Sequence, residues 1–203
     1  MKTVAIIGAK SDIGAYISNS IKKDGFNTFE IGHSQWFRRE ALVDGWDLIV
    51  FACGTMNPVG KFFECEPESW LSCIDGNALS PLLRLHHFYP ARNEGAQVCF
   101  FSGPNPHKPN PYYSAYDASK ALLINAAKNI NAEGLKCFVL GPGYVPTKIH
   151  QQTIAAGVPN ERLARARANN EAGTPMSKIY ECLRWCMDND VGGQHIFVPD
   201  WNK

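Results

Sequence analysis

Tyr116 and Lys120 stand four residues apart in the run Tyr116-Asp117-Ala118-Ser119-Lys120, shortly after the strand-like run Gln97 to Ser102. On a helix that spacing puts both side chains on one face, near enough to couple electrically. A phenol titrates near ~10, and a neighbouring ammonium favours its ionised form. Such a pair can pass a proton to or from an alcohol or carbonyl oxygen near neutral pH. The same spacing arises by chance on amphipathic helices, so the surrounding chain must decide its meaning. A second fragment, Gly8-Ala9-Lys10-Ser11-Asp12-Ile13-Gly14, follows an apolar run and opens a helical one. Glycine in such a turn lets backbone N–H groups approach a pyrophosphate, and the helix N-terminus favours its negative charge. Asp12 occupies the place of the middle glycine, so the match is partial. A purely structural turn accounts for this fragment equally well.

Residues so far apart must be brought together by regular elements. Short apolar runs predict strands over Thr3 to Ile7, Phe26 to Ile31, Asp47 to Ala52, Gln97 to Phe101, Lys136 to Leu140 and His195 to Val198. Between them lie helical patterns near Ile13 to Lys23, Pro67 to Tyr89, Tyr116 to Asn131 and Ser177 to Asp188. This alternation predicts an α/β fold, a parallel sheet flanked by helices on both faces. The segment Lys148 to Glu171 is Arg- and Ala-rich and mostly polar, and Pro104 to Pro111 is a Pro/Asn-rich loop too short to link domains. A single domain over residues 1–203 is expected.

Composition narrows the classes. The 203 residues are 45% hydrophobic and 19% charged, the balance of an ordinary globule. A formal charge of +1 gives no reason to expect nucleic acid or an anionic membrane as partner. The N-terminus reaches Gly8, Lys10 and Asp12 too soon to supply the apolar core of a signal peptide, so it reads as a buried strand. Seven cysteines, odd in number and without a C-x-x-C pair, predict core thiols and a cytoplasmic location. Cys182 and Cys186 share a helical face without a histidine or second cysteine pair beside them, so no metal site is expected.

Four further fragments fall in an order that resembles the short-chain dehydrogenase/reductase family. Phe51-Ala52-Cys53-Gly54 resembles that family's turn near the adenosine ribose. Trp70 through Asn77-Ala78-Leu79-Ser80-Pro81 resembles its long helix, with Asn77 at the place of a catalytic asparagine. Gly141-Pro142-Gly143-Tyr144-Val145-Pro146-Thr147 resembles the segment at the nicotinamide end, and Gly192 to Val198 resembles the last strand. The resemblance covers nearly the whole chain. It implies a Rossmann-like, doubly wound sheet and hydride transfer between a nicotinamide cofactor and a carbonyl or alcohol substrate. Tyr116 would act as general acid or base, Lys120 would lower its pKa and hold the nicotinamide ribose, and Asn77 would support a proton relay. Gly8, Lys10, Ser11, Asp12, Ile13, Gly14, His33, Ser34, Ala52, Cys53, Gly54, Pro142, Gly143, Val145 and Thr147 would hold the cofactor with Tyr116 and Lys120. Each has a plainer reading too: Asn77 as a helix interruption, Pro142-Gly143 as a turn, Thr147 as a cap.

Two departures stand out. The family's serine lies thirteen residues before the tyrosine, where this chain has Gly103; Ser102 is one residue earlier. Ser102 is expected to take the role, with Ser114, Asn105 or His107 as the alternatives. The passage Gly32 to Trp46 lacks room for a further strand and helix, so the sheet is expected to have one strand fewer than usual. No acid follows the second strand at Gly32-His33-Ser34, while Lys10, His33, Ser34, Arg38 and Arg39 could meet a 2′-phosphate. That favours NADP; Glu30 holding a free ribose would favour NAD instead. Arg162, Arg165 and Arg167 read as a solvated face. The substrate surface is expected at Pro104 to Tyr113 and Tyr144 to about Glu171, with Tyr112, Tyr113 and Tyr144 as an aromatic rim. Pairing through the helices near Pro67 and Tyr116 would make a homodimer or homotetramer. The alternative function is a non-catalytic NAD(P)-binding sensor or scaffold. An epimerase or dehydratase would need a larger substrate region than Lys148 to Asp190 provides.

Overall fold

In the computed structural model, residues 1–32, 45–103, 109–158 and 173–202 are described. Six strands are present among them: β1 (Thr3–Ile7), β2 (Asn27–Ile31), β3 (Trp46–Phe51), β4 (Arg92–Phe101), β5 (Lys136–Gly141) and β6 (His195–Phe197). All pair in parallel in the order β2-β1-β3-β4-β5-β6. The expected parallel α/β sheet is therefore present, and six strands match the shortened sheet read from the sequence.

Alternation along the strands divides the core between two faces. Val4, Ile6, Leu48, Val50, Cys99, Phe101, Phe138 and Leu140 pack on one face, beneath α1 (Asp12–Lys23) and the last helix, Met176–Asp188. Ala5, Ile7, Ile49, Phe51, Val98, Phe100, Cys137 and Val139 pack on the other. That face is covered by α3 (Ser80–Phe88) and α4 (Ser114–Ala132), and α2 (Pro67–Ile74) packs against α4. Burial on both faces explains why these strands read as near-continuous apolar runs. Among the described residues the remaining α-helices are α5 (Ile149–Ala156) and α6 (Met176–Asp188).

Three details differ from the sequence reading. A π-turn, Asp75–Leu79, joins α2 to α3 within the expected long helix. β4 begins at Arg92 rather than Gln97; the register slips between Trp46 and Leu48, and polar Asn93 ties the irregular stretch to Gly45 O and Asp47 Oδ1. Polar bulge residues carry no apolar alternation, which hides them from a pattern search. α5 lies in the segment read as mostly polar, and Thr153 is its single buried residue. A helix with so little buried face has no amphipathic signature.

Candidate active site

The chain leaves β1, passes to edge strand β2, then returns to the other side of β1 as β3. Between β1 and β3 the order reverses, and open α/β sheets bind ligands at such a crevice beyond the strand ends. A cleft of about 310 Å³ lies there. Its walls are Ser11, Asp12 and Ile13 after β1, Ala52, Cys53 and Gly54 after β3, and Pro142, Gly143, Val145 and Thr147 after β5. Ser102, Tyr116 and Lys120 line it as well. Thirteen of the residues named from the sequence thus meet at one place.

The wall beside β1 is set by backbone. Gly8 adopts φ +86°, and a Cβ there would fall 2.8 Å from Cys53 N. Glycine is the residue that takes this conformation without penalty and permits the approach. Gly14 is as constrained: a Cβ would fall 2.3 Å from Gly8 O. Ser11 caps α1 by accepting from Gly14 N at 3.0 Å, and its hydroxyl donates to Ala52 O at 2.7 Å. One serine therefore fastens the two turns together. Gly8 and Gly14 shape the turn behind the cleft wall, and Lys10 is exposed beside it. Asp12, in place of the middle glycine, accepts from Lys148 N at 2.7 Å and so ties α1 to the loop after β5. His33, Ser34, Arg38 and Arg39 lie outside the described residues, as do Asn105, His107, Arg162, Arg165 and Arg167.

The opposite wall is set by side chains. Tyr116 and Lys120 sit one turn apart on α4, both buried, with Lys120 Nζ 5.4 Å from the centre of the Tyr116 ring. Asn77 comes from the π-turn, a distortion frequent at functional sites. It does not line the cleft. Its amide accepts from Thr55 N and donates to Thr55 O, each at 2.8 Å, fixing the chain just after Gly54. A Cβ on Gly54 would fall 3.0 Å from Asn77 Oδ1 and 3.6 Å from Lys120 Nζ, so asparagine and lysine meet over this glycine.

Gly103 has a physical reason. A Cβ there would fall 2.8 Å from Tyr116 Cε1. The tyrosine ring occupies the space that a serine side chain would need. Ser102, buried and facing the cleft, is the hydroxyl present. Ser114 is engaged elsewhere, accepting from Trp70 Nε1 at 3.0 Å.

Electrostatics depart from the simple expectation. Burial drives the Tyr116 phenol above its ordinary range, with the Asp117 carboxylate adding to the effect. Burial also lowers the Lys120 amine to about 8. Burial thus favours the neutral phenol, the opposite of the direction the spacing alone suggests. Asp117 is itself raised to about 6 by burial, and the Cys53 thiol to about 12.

Sequence reasoning missed Met56 and Phe101, which also face the cleft. Lys148, Ile149, His150 and Gln152 face it too, within the segment Tyr144 to about Glu171 expected to supply the substrate surface. Gln152 Oε1 accepts from Met56 N at 2.7 Å, joining α5 to the loop after β3. The expected aromatic rim is corrected: Tyr112, Tyr113 and Tyr144 do not line the cleft, and Tyr113 is buried, donating to Thr153 Oγ1 at 2.9 Å. Tyr144 instead packs edge-on against His150.

Comparison with known proteins agrees with this architecture. Residues 36–182, well over half of the chain, match the family model described as enoyl-(acyl carrier protein) reductase. The protein belongs to that family, within the short-chain dehydrogenases/reductases, which are NAD(P)-dependent oxidoreductases. No curated protein matches the sequence closely enough to count as a relative. Among solved structures, a small-chain dehydrogenase in complex with NADPH is 16% identical, with TM-score 0.82 over 97% of this chain and 95% of that one. A short-chain dehydrogenase/reductase from Saccharomyces cerevisiae is 18% identical, with TM-score 0.76 over 98% and 97%. An angucycline C-6 ketoreductase with bound NADP is 17% identical, with TM-score 0.73 over 97% and 93%. Likeness at these identities concerns the fold.

Proposed function

We propose that the protein is an NADP-dependent reductase or dehydrogenase acting on a small carbonyl or alcohol. The observation that carries this is the convergence of Ser102, Tyr116 and Lys120 on the same cleft as the turns after β1, β3 and β5. Gly8 and Gly14 let the turn after β1 pack closely on itself and on the turn after β3, which leaves Ser11, Asp12 and Ile13 facing the cleft where a dinucleotide would lie. Ser11, Asp12, Ile13, Ala52, Cys53 and Gly54 would hold its adenosine and phosphate portions. Pro142, Gly143, Val145 and Thr147 would hold the nicotinamide end. When bound, the dinucleotide supplies or accepts the hydride.

Tyr116 gives its phenolic proton to the substrate oxygen in reduction, and in oxidation its phenolate form takes the proton from that oxygen. Lys120, when charged, favours the phenolate that reduction leaves behind. Ser102 donates a hydrogen bond to the same oxygen. Asn77 anchors Thr55 and interrupts the regular helix where a water-linked relay would start. Donors gathered around an oxygen suit carbonyl and alcohol chemistry, whereas the family description names an enoyl reduction.

Glu30, the acid that could hold the ribose of NAD, is bonded to Lys22 and Ser18 on α1, and these bonds hold its carboxyl below the usual range. That engagement, with NADPH or NADP in two of the similar structures, supports NADP. Leu71, Leu79 and Leu83 are exposed along the α2–α3 run, as are Ala118 and Ala121 on α4. Self-association through these helices is our reading of the oligomer, a homodimer or homotetramer. The seven free thiols support a cytoplasmic location. Among the described residues no helix is long and apolar enough to cross a membrane.

The test pairs NADPH binding by fluorescence with a panel of aldehydes, ketones and their alcohols. Tyr116→Phe should lower kcat by about 10³-fold while leaving the NADPH dissociation constant within about twofold. A variant that keeps its rate sinks the mechanism. Tight NADPH binding without turnover on the panel points to a binding module.

A further inference from the structure

His195 lies on edge strand β6, and its Nε2 stands 2.7 Å from Ser102 Oγ on β4's end, across the intervening strand β5. The two meet over Gly141. A Cβ on Gly141 would fall 2.9 Å from His195 Nε2 and 3.1 Å from Ser102 Oγ. Any larger residue at that point of β5 would fill the space in which the pair forms. Ser102 Oγ also lies 3.2 Å from the Gly103 carbonyl, a contact in which the serine must be the donor. A hydroxyl has one proton to give and lone pairs to receive with. Both contacts can therefore form together only when His195 Nε2 carries a hydrogen and donates it. A histidine that accepted would take the serine proton away from the cleft.

Building on the carbonyl/alcohol reading of the cleft, we propose that His195 is a positioning residue for Ser102. Its Nε2–H donates to Ser102 Oγ and thereby reserves the serine proton for the substrate oxygen. The longer bond to Gly103 O is the one a substrate oxygen displaces. No covalent bond is made or broken, and His195 need not touch the substrate. Within the sequence, His195 reads as part of a last strand; the glycine on the neighbouring strand is what lets it act at a distance.

Two measurements test this. Long-range nitrogen–proton NMR of the histidine rings reads the tautomer without turnover, with the His195 signal identified by its loss in His195→Gln. A proton on Nε2, and a displaced signal in Ser102→Ala, are expected. An unprotonated Nε2 overturns the proposal. Kinetics then use NADPH and a carbonyl substrate from the panel. His195→Leu should lower kcat about tenfold with KM for NADPH unchanged. His195→Gln, whose amide can donate from a similar place, should stay within about threefold of the parent. In a Ser102→Ala background His195→Leu should cost nothing further, because the group it positions is gone. Equal losses in both backgrounds, or in the Leu and Gln variants alike, mark a structural role and overturn the proposal. Failure of the carbonyl reading has a different sign, absent turnover by the unmodified protein, and the tautomer then decides the role of His195.

Discussion

The two walls of the cleft are built by different means. Beside β1 and β3 the wall is backbone, with Gly8 and Gly14 admitting close approach and Ser11 stapling one turn to the other. Beside β4 and β5 it is side chains, with Tyr116, Lys120 and Ser102 held by packing from several elements. A backbone wall tolerates change at positions such as Asp12, which departs from the usual glycine and ties down Lys148 instead. A side-chain wall does not, since each group takes its position from its neighbours: Gly103 from the Tyr116 ring, Gly141 from the His195–Ser102 pair. Variation in the first wall alters how a ligand is held. Variation in the second alters the chemistry.

Gly103→Ser puts the contrast to its severest test. It restores the hydroxyl at the usual distance from the tyrosine, yet its Cβ would meet the Tyr116 ring at 2.8 Å. We expect kcat to fall by about 10²- to 10³-fold, since a proton donor displaced by an ångström loses its geometry. NADPH binding should change little. If the variant gains rate, the side-chain wall is more adaptable than its packing implies.

Gly8→Ala probes the backbone wall. Its methyl group faces a φ of +86° and Cys53 N at 2.8 Å. The conformation alone costs about 1–2 kcal/mol, and the collision adds to it. NADPH affinity should fall by about tenfold or more, in step with a lower melting temperature, while kcat at saturating cofactor holds. Unchanged affinity and melting would show that this turn does not constrain the ligand.

The same contrast explains what could be read before the fold was known. The turn Gly8 to Gly14, the strands and the Tyr116–Lys120 spacing are local, and local patterns are written in the sequence. The helical placement of Asn77 was legible, whereas the π-turn that carries it and its bonds to Thr55 were not. The reason for Gly103, the pairing of Ser102 with His195 and the engagement of Glu30 by α1 all depend on residues distant in the chain. The rise of the Tyr116 phenol was equally hidden. Spacing shows that a cation is near, but only the packed structure shows how far burial opposes it.

Lys120 supplies the subtlest test of the side-chain wall. Burial lowers its amine to about 8. Below that pH it is protonated and favours the phenolate that forms as Tyr116 gives up its proton. Above it the amine is neutral and that support is lost, so carbonyl reduction should slow. The rate should be level on the acid side of about pH 8 and fall by up to about tenfold per unit beyond it. Lys120→Arg keeps a charge throughout this range, so it should abolish the alkaline limb even if its poorer fit lowers the whole profile. A limb that survives unchanged in Lys120→Arg would assign the titration to another group and leave the amine a purely structural part of that wall.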